Sequence, residues 1–412
     1  MKIRVALIGL CAIALLGGCS STPSVKEPKA LAPLETLYTL TKNWQVKTET
    51  MPNRDSEGLF FAEDDLSLYV ATATGYLVAL TKETKTRWKD QVQWEVKFAS
   101  DIVSGPAKLG EQLIIGTAKG VLMSLSTDHA RIKWQTQLSS EVMSYPVIAQ
   151  HTIFTRTVDG KLYAVNATTG EVVWIVEHEM PTLSLRGSPA ILYFEDVLYV
   201  AWESGMVQAL SASSGTLLWE KRIATPKGRT DLERMVDIQA SLVMKEGRLI
   251  ALGYHGKLVA LNPLSGKTFF EKELSGYRDF VVDSDRIYVV DDADILYAFD
   301  LFSGAMLWTQ NAFKGRSIGD LNFYQDALLV TDAWGYLHWV NRVQGTEFAR
   351  VKHSNEYGDG NRMLRIKVDG KQLTLLDDEG VITQYDIEPS HLALFKKMHP
   401  PSSEGGFFDF FF

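Results

Sequence analysis

Ser317 sits in Gly315-Arg316-Ser317-Ile318-Gly319, a match to the G-x-S-x-G pattern that presents a serine nucleophile on a strained strand-to-helix turn. No parallel-sheet pattern precedes it and no helical period follows, so the segment reads as a linker. Asp291-Asp292-Ala293-Asp294 is the densest acid cluster. Calcium takes six to eight oxygens, and this run has neither the loop glycine nor the distal glutamate of an EF-hand; it reads as a turn with solvated carboxylates. Among the eight histidines, His178, His255, His338 and His353 each lack a second histidine at ligand spacing and read as surface or pocket residues. No catalytic residue, metal ligand or cofactor is assigned on this reading.

Cys19 carries chemistry of another kind. Leu16-Gly17-Gly18-Cys19 ends a segment with a basic start (Lys2, Arg4) and an apolar run from Val5 to Leu16. At about 1.5 Å per residue that run is too short to span a ~30 Å hydrocarbon core, so residues 1–18 read as a removed signal. The ending resembles a lipobox, which implies a diacylglyceryl group on the Cys19 thiol and a further acyl chain on its amine. Two or more chains hold a protein stably on a membrane. Ser20 after the cysteine, rather than Asp, implies the outer membrane, and residues 19–37 read as the lipidated cysteine and a flexible leash. Cys11 leaves with the signal, so the mature chain keeps one cysteine and no internal disulfide is possible. The net charge of −8 becomes −10 once Lys2 and Arg4 are gone, which excludes a basic nucleic-acid surface.

The rest of the chain is repetitive. A glycine-led apolar strand runs into a polar Thr/Ser-Gly turn, and a tryptophan follows four residues after that glycine. Gly160 to Trp174, with Thr169-Gly170, is the best copy; Gly205 to Trp219, Gly256 to Phe270 and Ile295 to Trp308 follow it, and Gly380 to Tyr385 begins a copy that is not completed. Taking Trp44, Trp88 (or Trp94), Trp134, Trp174, Trp219, Phe270, Trp308 and Ala349 as markers, the period is 38 to 51 residues. That is the length of a four-stranded blade, and the short apolar or alternating runs between turns carry no sustained helical period. The expectation is an all-β, eight-bladed β-propeller of four-stranded antiparallel blades over residues 38–390, followed by a tail over 391–412. Its last blade would be closed by the N-terminal strand around Trp44; a seven-bladed ring with a stray strand is the alternative. The tryptophans read as plates between blades.

The repeat resembles that of the quinoprotein (PQQ-dependent) dehydrogenases, whose members bind pyrroloquinoline quinone and Ca²⁺ on the propeller axis, commonly beside a vicinal disulfide. This chain has no cysteine pair, and a PQQ-dependent periplasmic dehydrogenase stands as the alternative function. The linkers between blades point elsewhere. After Trp174, Met180-Pro181-Thr182-Leu183-Ser184-Leu185-Arg186-Gly187 puts two leucines and a guanidinium in a loop, the composition of an interface anchor. The next linker runs through Arg229, Asp231, Glu233, Arg234 and Asp237 on the same face.

With the lipobox, the eightfold repeat, the 183–187 segment and Asp279-Phe280-Val281-Val282-Asp283, the chain from Cys19 to about Ile387 resembles the BamB family of the outer-membrane β-barrel assembly machinery. The resemblance implies a non-enzymatic scaffold, lipid-anchored at the outer membrane and facing the periplasm. It would bind the POTRA domains of BamA beside other assembly subunits and assist outer-membrane protein folding, with contacts to nascent outer-membrane proteins left open. By motif, Leu183, Leu185, Arg186 and Asp237 would be partner-binding; where the family has Asp-Val-Asp, this chain has Asp237-Ile238-Gln239. The ending Gly405-Gly406-Phe407-Phe408-Asp409-Phe410-Phe411-Phe412 has the terminal aromatic of nascent barrel proteins but no membrane strand leading into it, and receives no function.

Overall fold

The computed structural model describes residues 28, 30–47, 59–85, 88–185, 187, 191–355, 358–359, 361–391 and 393. Cys11, Cys19, Arg186 and the 400–412 tail lie outside them. The described residues form eight four-stranded antiparallel sheets, seven of them built from consecutive strands over 61–97, 102–137, 147–177, 192–222, 243–273, 281–310 and 321–352. The eighth takes three strands from 363–389 and its fourth from the other end of the chain, Tyr38–Lys47. Among the described residues, a two-stranded ribbon of Ser354–Asn355 and Gly358–Asp359 is the one sheet outside this scheme.

Burial follows strand position. Second and third strands are covered on both faces, as in Arg248–Leu252 and Lys257–Leu261, whereas outer strands such as Thr268–Glu273 alternate half-buried and exposed residues with a period of two. Eight hydrophobic clusters fill the gaps between sheets, each drawing residues from two neighbouring blades. Eight junctions for eight blades means a closed ring. The closing cluster packs Trp44 and Val46 of the eighth blade against Leu68, Val78 and Leu80 of the first.

Trp44 keeps the register of the other markers. Tyr38–Lys47 pairs with Val381–Pro389 from Lys47↔Val381 to Tyr38↔Pro389, with one irregularity between Lys42 and Trp44. Bulges at the same place precede Trp174 and Trp219. The strand thereby covers the edge of Val381–Pro389 that would otherwise stand open.

Each marker tryptophan docks on the next blade. Trp94, Trp134, Trp174, Trp219 and Trp308 donate their indole N–H groups to the carbonyls of Thr127, Ala167, Ala212, Pro263 and Arg342, at 2.7 to 3.1 Å. Those carbonyls belong to the turn before each outer strand. The turn glycine lies flat against the ring: Gly266 has φ +66°, and a Cβ there would come within 2.7 Å of the Trp219 indole. Glycine is needed both for its left-handed backbone and for the close approach.

Two marker assignments change. In the first blade Trp94, paired with Ala79, has the plate position, while Trp88 opens the four-residue helix Trp88–Gln91 inserted before that strand. In the seventh blade the plate has moved across the ladder. Elsewhere a small residue of the third strand faces the aromatic, as in Ala164↔Trp174 and Ala298↔Trp308, but here Trp339 faces Ala349. Trp339 is fully buried and stacks on Tyr38, 5.2 Å away, so the exchange brings the closing strand's own ring into the core.

Candidate functional site

Because strands alternate in direction, the linkers from one blade to the next emerge on one face of the ring, with the turns between second and third strands. The described part of the linker after Trp174 (178–185 and 187) and the linker after Trp219 (223–242) lie side by side there. Between them runs a groove of about 470 Å³, lined by His178, Met180, Leu183, Met206, Arg222 and Met235 among others. Leu183 is 44% exposed at its edge and Leu185 is half-buried.

The two linkers are latched together. Asp237, wholly buried, accepts the Leu185 backbone N–H through Oδ2 at 2.8 Å and the Gln239 side-chain amide at 3.3 Å. The same amide donates to the Leu185 carbonyl. Both backbone polar groups of Leu185 are thus held by the neighbouring linker, and Asp237 itself exchanges backbone hydrogen bonds with Tyr254. Gly187 is buried against Gln239, with no room for a Cβ. The sequence places Asp237 at the partner surface; in the structure it is buried and clamps the backbone of Leu185. Gln239 has the role a second acid could not fill, since an amide donates where a carboxylate only accepts.

Electrostatics set the clamp's state. Burial first, and then the nearby Glu203 carboxylate, push the Asp237 carboxyl up to about 7 against the Leu185 and Gln239 hydrogen bonds, which favour the charged form. Glu203 is itself engaged by Arg156. This buried guanidinium, from the strand Thr152–Thr157, donates to Glu203 Oε2 at 2.5 Å and to the Ala201 carbonyl at 2.7 Å, and lies over the Trp202 ring. His178 stacks on Trp202 with centroids 4.3 Å apart and is hydrogen-bonded to Ser204 at 2.8 Å. Burial, with Arg156 nearby, lowers the His178 pKa. Arg156 and Glu203 form a buried ion pair, joined to the groove through Trp202 and His178, that sequence reading missed; a charge within a buried strand and a partner 47 residues on, one repeat away, was the signal.

The segments considered for catalysis serve the scaffold. Ser317 is in a linker, where Asp294 accepts the backbone N–H groups of Ser317 and Ile318 at 2.9 and 3.1 Å and Arg316 pairs with Asp332 at 2.6 Å. The Asp291–Asp294 run is a turn, as expected, and is solvated only in part: Asp292 is exposed, Asp291 caps the turn through Ala293 and Ile295, and Asp294 is buried against Arg278 at 3.0 Å. His338 and His353 are interior rather than surface residues, each hydrogen-bonded to a buried aspartate, Asp332 and Asp377.

The fold and the site define the class: a closed eight-bladed β-propeller with two linkers latched beside a groove. The comparisons with known proteins supply the family. Residues 86–310 match the family model described as outer membrane protein assembly factor BamB. The assembly factor BamB of Escherichia coli (strain K12) is 32% identical over 387 residues, covering 92% of this chain and 98% of the relative. The crystal structure of BamB from Moraxella catarrhalis superposes with a TM-score of 0.73 at 20% identity, over 84% of this chain and all of that one. The chain belongs to the BamB family. The quinohemoprotein alcohol dehydrogenase of Comamonas testosteroni shares the fold alone, with a TM-score of 0.63 at 11% identity over 85% of this chain and 76% of that one.

Proposed function

We propose that this chain is a non-enzymatic scaffold of outer-membrane protein assembly, anchored through lipidated Cys19 and facing the periplasm. Its linker face docks on the POTRA domains of BamA. The parts divide as a signal over 1–18, a lipidated leash over 19–37, the propeller over 38–390 and a tail over 391–412. The observation that carries the docking reading is the latch: Leu183 stands exposed on a loop whose backbone is tied down at Leu185 by Asp237 and Gln239. A pre-organised apolar anchor loses little conformational entropy on binding. Leu183, Leu185 and Arg186 make the contact, and Asp237 acts through the backbone it holds.

The test is titration of purified POTRA domains against the wild type and a Leu185→Ala, Arg186→Glu variant. Binding should fall at least about tenfold, through loss of an anchor and introduction of a repulsive charge. Circular dichroism and melting should stay near wild type, since Leu185 belongs to none of the hydrophobic clusters between blades. Undiminished binding by a folded variant overturns the reading. Turnover of alcohols or sugars on supplying pyrroloquinoline quinone and Ca²⁺ would establish the enzyme instead.

A further inference from the structure

The face opposite the linkers carries the turns between third and fourth strands, and one position in those turns divides the ring in two. In the second, third and fourth blades it is polar: Asp128, Thr168 and Ser213. In the fifth, sixth and seventh it is Leu264, Phe302 and Val343, 82%, 50% and 66% exposed. These turns are otherwise alike, with Asn262, Asp300 and Asn341 accepting backbone N–H groups of the turn just as Asn166 does. The apolar tips are therefore not needed to make the turn. Phe269 and Phe302 flank the Arg248 guanidinium, 4.2 and 5.1 Å from their ring centroids, which joins the fifth and sixth blades' tips into one surface. At this one position three adjacent blades are apolar, forming a crescent, and three others polar; the same face also exposes Leu66 of the first blade and Phe194 of the fourth, at the turns between first and second strands.

The N-terminal leash reaches the ring on the same side. Tyr38 pairs with Pro389 at the turn-side end of the eighth blade, and the pairing continues past the bulge where the other blades have already turned. Ahead of Tyr38, the Ala32 carbonyl accepts a hydrogen bond from Arg350 of the seventh blade. Tyr38, where the chain ahead of the ring joins it, thus lies at the turn face, next to the crescent and away from the linker face.

We propose that the crescent of Leu264, Phe302 and Val343 docks on the lipid surface to which the chain is tethered, holding the propeller with its turn face on the membrane and its linker face toward the periplasm. This rests on the proposed anchoring at Cys19. Three side chains are too few to hold a free protein on a bilayer, but a tether makes the second contact intramolecular, and a weak apolar patch then suffices. Charges of both signs surround the tips, so apolar insertion carries the contact and added salt leaves it in place.

The single cysteine of the mature chain makes the test independent of natural lipidation. The chain beginning at Cys19 is coupled through its thiol to a maleimide lipid in vesicles of phosphatidylethanolamine and phosphatidylglycerol, and amide hydrogen exchange is compared with that of the uncoupled protein. Exchange should slow by at least about threefold at turns 262–266, 300–304 and 341–345 and stay unchanged at 126–130, 166–170 and 211–215. A Leu264→Ser, Phe302→Ser, Val343→Ser variant, with the same melting temperature, should lose that protection. Equal exchange in coupled and free wild type overturns the proposal, as does protection that grows with protein concentration without vesicles, which would assign the crescent to a second copy of the chain. The intact mass of the protein purified from its native membrane tests the anchor separately.

Discussion

Replacing Asp237 with asparagine tests the latch where its chemistry is most exposed to measurement. Asparagine keeps the shape: its carbonyl can accept from Leu185 and Gln239 as Asp237 Oδ2 does now, and its amide fills the place of Oδ1, a buried atom with no partner. What disappears is the ionisation. With the folded-state carboxyl at about 7 against 3.8 for the free group, the folded protein binds the proton more tightly than the unfolded chain. This raised pKa adds stability in acid and is lost progressively as pH rises from about 4 to about 7. At about 1.4 kcal/mol per pH unit, the span sets an upper limit of about 4 kcal/mol. The Asp237→Asn variant has no such slope, so its stability relative to wild type should improve by up to that amount between pH 4 and pH 8. Urea unfolding at half-unit intervals across the range reads the difference directly. Two parallel stability curves would refute the reasoning, for they would mean that Asp237 titrates in the folded protein as it does in water.

Other perturbations probe the ring. Gly266→Ala forces a left-handed backbone and a Cβ against the Trp219 indole, and should destabilise by about 2 kcal/mol or more, read as a lowered melting temperature. Trp339→Ala should cost about 3–5 kcal/mol by emptying a fully buried site, while Trp339→Ala with Ala349→Trp restores the pattern of the other blades and should recover part of it. Deleting residues 19–47 removes the eighth blade's outer strand and bares the edge of Val381–Pro389. It should lower the melting temperature and promote association, visible by light scattering. An unchanged melting temperature would contradict closure by that strand.

Local signals were sufficient for the architecture. A turn glycine and an aromatic four residues on recur because each blade must meet its neighbour in the same way, so the period of Gly170 to Trp174 and Gly215 to Trp219 is itself a record of packing. Even closure was legible, since the copy begun at Gly380 lacks an outer strand and the strand at Trp44 lacks inner ones. The Leu183 to Gly187 segment likewise stood out by composition, because leucines in a loop have no local reason to be there. What the sequence could not supply was whatever depends on residues far apart in the chain. Asp237 carries the same letter whether it faces solvent or is sealed under Leu185, 52 residues away, and only the tertiary structure makes it a clamp with a raised pKa. Trp88 and Trp94 compete as the first blade's plate, and the inserted helix Trp88–Gln91 decides between them. Trp339 and Ala349 look like a defect in the repeat until Tyr38, from the other end of the chain, is seen stacked on the indole. Periodicity determines what a blade is; long-range contacts, which the sequence does not encode locally, determine which residues are buried, charged or free to meet a partner.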